Sequence, residues 1–239
     1  VFKVKENDTE SIYASKISLS ELDEDPTLFS DLKSEVNILL QLNHPSILRF
    51  IGYSPYDFNQ ENYPVIISEY SPNGSLDDII ELNRKLTPPP NWNDTKKLIN
   101  IYGIASAMAY LHSHNIIHRD LKPSNILEDE NFYPKIADFG LSKLNHVNSQ
   151  SKEGFKGTPM YVAPEIWSEY EYSKAGDVYA FAMIVYELLT LEEPFKNYDF
   201  YKLFTKVVVG GERPKFKFPI PRCYSDLIKR CWSSNPKDR

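Results

Sequence analysis

The chain has 239 residues, 27 Lys and Arg against 33 Asp and Glu, and a formal net charge of −6. At 41% hydrophobic and 25% charged it has the composition of an ordinary globular protein, which excludes the disordered and fibrous classes. The acidic balance argues against nucleic acid or an anionic membrane as the main partner, and no apolar run approaches the length of a membrane span. Two cysteines, Cys223 and Cys231, are too few and too close for a disulfide framework, so a reducing, cytoplasmic setting is expected, with both side chains in packing roles. The opening residues carry no signal-peptide pattern. A first residue other than Met and only 9 glycines suggest a piece of a longer chain.

In chain order, Val1–Val4 and Ile12–Ile17 have strand content, separated by the polar turn Glu6-Asn7-Asp8-Thr9. Asp25-Pro26 reads as an N-cap with a first-turn proline. Behind it Phe29, Leu32, Val36, Leu39 and Leu40 recur at three- and four-residue steps, which predicts an amphipathic helix. Ile47–Tyr53 and Val65–Tyr70 resume as strands around a hairpin tip at Asn59–Asn62. From Asn73 the pattern turns helical. Asn93–His114 is the longest periodic segment, with Leu98, Ile101, Ile104, Ala105, Met108 and Leu111 on one face. Val178–Leu191 is apolar nearly all round, the mark of a helix buried inside a domain. Pro88-Pro89-Pro90 is a rigid loop, and Asn145–Lys156 a polar surface segment. The shift near residues 70–74 predicts a small sheet-rich unit, 1–70, followed by a larger helical one, 71–239.

The strongest chemical signal is His118-Arg119-Asp120-Leu121-Lys122-Pro123-Ser124-Asn125, between a long helix and the strand-like Ile126-Leu127. Asp138-Phe139-Gly140 and then Ala163-Pro164-Glu165 follow in order. Any one of these acids alone would pass for a turn or capping residue. As an ordered set they resemble the catalytic core of the eukaryotic protein kinases. The resemblance implies a two-lobed α+β fold and transfer of the ATP γ-phosphate to protein hydroxyls with Mg²⁺. Phosphoryl transfer needs charge neutralised at the γ-phosphate and a hydroxyl aligned with it. Asp138 and Asn125 would supply hard oxygen ligands, Asp120 would orient or accept the hydroxyl proton, and Lys122 would contact the γ-phosphate.

Further roles follow from the same resemblance. Lys16, in Tyr13-Ala14-Ser15-Lys16, stands where the family's nucleotide-anchoring lysine belongs, and Glu35 on the first helix is its expected partner. Val1 and Ala14 would roof the adenine, Leu127 would floor it, and Glu69-Tyr70-Ser71 would supply a hydrogen-bonding edge. Ser68 would control access to a back cavity. Thr158 would bridge Asp120 and Lys122, and Glu165 would pair with Arg239. Phe139, Gly140 and Asp177 complete the structural set. Asn145–Lys156 would be a loop switched by phosphorylation at Ser149 or Ser151, with Arg119 and nearby Lys143 carrying positive charge uncompensated until the phosphate arrives. Lys122 and Gly157-Thr158 look like the serine/threonine pattern, whereas Asp177-Val178-Tyr179 and Cys231-Trp232 look tyrosine-kinase-related. That mixture is similar to the tyrosine-kinase-like group. The family's Gly-rich phosphate loop is absent, and Val1 aligns with that motif's closing valine, so the loop and a last helix are expected outside this stretch. A partner-binding pseudokinase or scaffold, or an inactive fragment, is the alternative. Asn-X-Ser/Thr sequons and the His112/His114 pair carry weaker signals, the histidines fitting a helix C-terminus better than a metal site.

Overall fold

The computed structural model describes residues 1–20, 26–144 and 156–239. β1 (Phe2–Lys5), β2 (Ile12–Ile17), β3 (Phe50–Ser54) and β4 (Val65–Glu69) form an antiparallel sheet in the order β1-β2-β4-β3, with α1 (Pro26–Leu39) inserted after β2. Pairing of β2 with β4 sets Ala14 opposite Ser68 and Lys16 opposite Ile66. The β3–β4 connection is closed as an Asx turn, the Asp57 carboxylate accepting from the backbone N–H groups of Asn59 and Glu61.

The remainder is helical. Ser75 and Asp78 form a capping box at the start of α2 (Leu76–Arg84), and Asn93 caps α3 (Asp94–Ser113). Two short antiparallel ribbons follow: β5 (Ile116–Ile117) pairs with β8 (Lys143–Leu144), and β6 (Ile126–Glu128) with β7 (Pro134–Ile136). α4 (Pro164–Glu169) precedes α5 (Lys174–Thr190), in which every residue from Tyr179 to Leu188 is buried. Such a helix is the pillar of the larger lobe, as its all-round apolar sequence predicts. α6 (Phe200–Lys202) runs into a π-helical stretch, Leu203–Val209, and α7 (Arg222–Cys231) packs against α5.

The two lobes are tied through the segment leading into β3. Leu48 N–H donates to Ile136 O and Ile136 N–H to Ser46 O, both at 2.9 Å, and Ile47 forms a parallel bridge with Ile136. That pairing explains why the strand expected from Ile47 begins only at Phe50: residues 46–48 are already paired with β7. Other sequence expectations shift by a helical frame. On α1, which ends at Leu39, Leu40 is exposed and Ile38 enters the core instead. On α3, Ile101, Ile104, Met108 and Leu111 are buried together with Ala107, while Leu98 and Ala105 are exposed. At 3.6 residues per turn those two lie about 100–120° from Ile104, outside the buried stripe. Cys231 is buried, as a packing role requires, but Cys223 is exposed.

α3 approaches the β7 region closely at Gly103. A Cβ there would lie 2.6 Å from Pro134 Cγ and 2.9 Å from Ser46 Oγ. Gly103→Ala should therefore overpack the seam between α3 and the inter-lobe segment, lowering stability by about 1–3 kcal/mol. Urea unfolding checks this; the midpoint should fall with the slope unchanged.

Candidate active site

The loop from His118 to Asn125 is hung from one side chain of α5. Asp177 is buried, with Oδ2 accepting from His118 N–H at 2.9 Å and Oδ1 from Arg119 N–H at 3.0 Å. The ring of His112, at the end of α3, also bonds Oδ2 at 2.9 Å, which accounts for that histidine without a metal. His118 lies 3.0 Å from Ala137 O through Nε2 and packs edge-on against Phe139, so the loop is tied to the segment carrying Asp138. Arg119 and Asp138 both have left-handed backbones, φ +73° and +61°. Such conformations cost about 1–3 kcal/mol each in non-glycine residues and persist where surrounding contacts enforce them.

These constraints assemble a compact polar group. Asn125 Nδ2 donates to Asp120 O at 2.8 Å and to Asp120 Oδ2 at 3.0 Å. Lys122 Nζ lies 2.8 Å from Asp120 Oδ2 and donates to Thr158 Oγ1 at 2.9 Å. Thr158 donates to Asp120 Oδ1 through both its backbone N–H and its hydroxyl, each at 3.1 Å. Gly157 permits this approach: its φ is +95°, and a Cβ there would lie 2.9 Å from Arg119 O. Asp120 is thus fixed in orientation by a cation and three hydrogen-bond donors.

Beside this group a cleft of about 270 Å³ opens between the sheet and the helical lobe. Val1 and Ala14 line one side of it and Leu127 the other, with Ser68, Lys16, Glu35, Asn125, Asp138 and Phe139 around its depth. Lys16 Nζ lies 2.8 Å from Asp138 Oδ1 and 3.4 Å from Glu35 Oε1, bringing together three side chains remote in sequence. Burial alone would lower the Lys16 pKa, but Glu35 and Asp138 outweigh it and the net shift is upward. For Asp138, burial pulls upward while the Lys16 charge and hydrogen bond prevail, holding the carboxyl below its ordinary range. Glu35 is raised, its burial exceeding the opposing effect of Lys16. The result is a carboxylate at Asp138 kept ionised and facing the cleft.

The donor set suits a hard divalent cation. With Asn125 Nδ2 tied to Asp120, the amide offers its oxygen to the cleft, and Asp138 offers a carboxylate that is about half exposed.

Six residues lining the cleft are not marked as site residues by the sequence: Leu39, Leu48, Phe50, Ile66, Ser124 and Ala137. Leu39 ends α1, Phe50 and Ile66 are strand positions, and Leu48 lies in the segment whose backbone is paired with Ile136 of β7. Glu69 and Ser71, in turn, do not line it. The Glu69 carboxylate turns away to Lys135 at 3.3 Å and accepts from Arg49 N–H at 2.8 Å. Among the remaining expected residues, Arg239 and Glu165 form a bidentate pair at 2.7 and 2.9 Å, the arginine fully buried. Phe139 is buried, and a Cβ at Gly140 would lie 3.5 Å from Glu35 Oε2. The Arg119 guanidinium lies over the Tyr172 ring at 4.2 Å, and burial outweighs the opposing effects of Tyr172 and Asp177, so its pKa is lowered. Burial and the neighbouring charges of Arg119 and Lys156 lower the Lys143 pKa. Ser149 and Ser151 lie outside the described residues.

The family model for the protein kinase domain matches residues 1–239. The chain belongs to the protein kinase domain family. It is 35% identical over 95% of its length to the serine/threonine-protein kinase VIK of Arabidopsis thaliana, of which it spans 51%. A serine/threonine-protein kinase/receptor of Acanthamoeba polyphaga mimivirus is 34% identical over 96% of the chain, which spans 13% of that protein. The dual specificity protein kinase shkB of Dictyostelium discoideum is 34% identical over 88% of the chain, which spans 32% of it. The chain thus covers from about an eighth to a half of these relatives' lengths. Protein kinases as a family use ATP and Mg²⁺. Among the described residues no helix is long and apolar enough to cross a membrane.

The Lys16–Asp138 pair gives a direct electrostatic test. Lys16→Met removes the charge that opposes burial, so the Asp138 pKa should rise. Carboxyl-detected NMR titration of wild type and variant reads the shift; an unchanged Asp138 titration would show that the pair does not set its ionisation.

Proposed function

We propose that this kinase domain transfers the ATP γ-phosphate to serine or threonine hydroxyls of protein substrates. The single observation that carries the reading is the Asp120 carboxylate, held by Lys122, Asn125 and Thr158 beside a cleft containing Lys16 and Asp138. In this reading residues 1–70 and 71–239 are the two lobes, and the nucleotide occupies the cleft between Ala14 and Leu127. Lys16, oriented by Glu35, binds the phosphates. Asp138 and Asn125 hold Mg²⁺, which neutralises charge on the phosphates when bound. Asp120 orients the substrate hydroxyl and takes its proton at a carboxylate oxygen. Lys122, within reach of both Asp120 and Thr158, neutralises charge on the substrate side. Transfer of this kind is mainly positioning and electrostatics, and the side chains supply both.

Acceptor class rests on Lys122 and Thr158. Their contact with Asp120 fits the serine/threonine arrangement, in line with two of the relatives named above, and the tyrosine-kinase-like group is the subgroup this mixture of motifs favours. Arg119 and Lys143, with Lys143 close in sequence to Asn145–Lys156, support reading that stretch as a phosphate-regulated loop, with Ser149 or Ser151 as acceptor. Two cysteines without a disulfide suit an intracellular setting. The rival reading, a partner-binding scaffold without catalysis, differs in one measurable respect. Asp120→Asn and Asp138→Asn should leave the fold intact and each lower phosphotransfer to a protein substrate, Asp120→Asn by about 10²–10⁴. Undiminished phosphorylation in either variant would remove that residue from the mechanism, and no phosphotransfer by the wild type would favour the scaffold.

Ser68, opposite Ala14 in the sheet, is small enough to leave the back of the cleft open toward Leu39 and Phe50. Ser68→Met should weaken cleft ligands with bulky apolar extensions through overpacking while sparing smaller ones. Calorimetric affinities for a matched pair of such compounds provide the comparison.

A further inference from the structure

Glu128 closes β6, and its side chain is wholly buried. Among the described residues it takes part in no ion pair, and its one hydrogen-bonding neighbour is Asn100 on α3, whose Nδ2 lies 3.3 Å from Oε2. That amide nitrogen has two hydrogens and three acceptors within reach, since Lys96 O and Phe132 O stand at 3.1 and 3.2 Å. A carboxylate here would keep its charge in the buried core on a fraction of one protein donor. Meanwhile Glu128 Oε1 and Asn100 Oδ1 are both buried acceptors without a hydrogen-bond donor. One proton resolves both problems. Placed on Oε1 it makes a hydroxyl that needs an acceptor, as Asn100 Oδ1 needs a donor, and with Nδ2 donating to Oε2 the two groups match as a reciprocal acid–amide pair. Reversing the amide would instead face its oxygen toward three acceptors.

We propose that Glu128 is held as a neutral carboxylic acid paired with Asn100, and that this pair is a positioning device that seats β6 on α3. β6 follows Asn125 and carries Leu127, and its backbone also ties to the segment before α2: Glu128 N–H donates to Gly74 O at 2.9 Å and Asn73 N–H to Glu128 O at 3.3 Å. Glu128 therefore connects one wall of the cleft to the helical core. Its role toward nucleotide rests on the proposed function above; its protonation does not.

The charged groups acting on Glu128 are Asp129, next in the chain, which disfavours ionisation, and Lys96, one turn earlier on α3, which favours it. Burial dominates both, raising the carboxyl to about 8. Because the folded value exceeds that of the unfolded chain, the folded state holds the extra proton between the two. The stability contributed is full below the unfolded value, near pH 4.3, and is lost as pH rises toward about 8.

The test compares wild type with Glu128→Gln, which keeps the shape and hydrogen-bonding capacity without a titratable proton. Infrared spectra of the wild type, labelled with ¹³C at glutamate carboxyls, should show a protonated carboxyl at pH 7 that is missing from Glu128→Gln. Its absence from the wild type overturns the proposal and needs no variant. The thermal midpoint of the wild type should fall more steeply than that of Glu128→Gln from roughly pH 5 to 8. Parallel curves overturn the buried acid. Affinity for a non-hydrolysable ATP analogue should drop several-fold more in wild type than in Glu128→Gln between roughly pH 7 and 9. An equal pH dependence overturns the positioning role. Failure of both proteins to bind at pH 7 overturns the nucleotide reading and the positioning role with it, with the infrared and thermal results still deciding the proton.

Discussion

The site hangs from one buried carboxylate. Asp177 projects from the first turn of the most buried helix and accepts from two consecutive backbone N–H groups, those of His118 and Arg119. Consecutive amides can converge on one carboxylate only if the chain turns sharply, and the left-handed backbone at Arg119 is that turn. Asp120 is the next residue. Its direction is therefore set by α5, an element with almost no freedom to move because it is packed on every side. Removing the carboxylate would leave two buried N–H groups unpaired as well as releasing the strain at Arg119, so the geometry and the stability of the loop have one origin.

A second constraint joins the lobes. Lys16 comes from the sheet, Glu35 from α1 and Asp138 from the segment after β7, and they meet because residues 46–48 are hydrogen-bonded to Ile136, two positions before Asp138. The ion pairs themselves are partly solvated, Lys16 and Asp138 each being about half exposed, and pairs of that kind contribute little net stability. Their consequence is electrostatic: they decide which groups are charged in the cleft. The backbone pairing with β7 decides where those charges stand.

How much of this was legible in the sequence varied with the kind of information required. Asp120, Asn125 and Asp138 were legible because ordered loop motifs are specific, and Lys16 and Glu35 followed once those had set the frame. The helices at 26–39, 94–113 and 174–190 were legible from periodicity and caps, although the buried stripes were misplaced at Leu40, Leu98 and Ala105. Apolarity alone does not tell which edge of a helix meets its neighbour; for α3 that is settled by the close approach at Gly103. Leu39, Leu48 and Phe50 were legible only as apolar positions, since which of them line the cleft depends on contacts between elements remote in sequence. The Tyr172 ring over Arg119 was not legible either, since it lies 53 positions on and is invisible to a reading of charges. Ser149 and Ser151 were legible only as serines in a polar stretch.

The buried acids of the larger lobe differ in how many donors they are given. Asp177 has two backbone donors and a histidine ring. Glu187 has Arg84 and the Tyr161 hydroxyl, both at 2.6 Å, and though burial raises its pKa, those two partners oppose the shift. Through Tyr161, whose N–H donates to Thr158 O, that pair also braces the segment that fixes Asp120. Glu128 is as buried as either, with neither a cation nor a donor of its own. Burial by itself thus says little about a carboxylate's role; the supply of donors does. Where donors converge, the fold uses the charge to hold backbone in place, and where they are missing a proton takes their place and makes the contact conditional on pH. The same chain therefore uses one buried carboxylate as a backbone acceptor beneath Asp120 and another as a pH-conditional contact beneath Leu127.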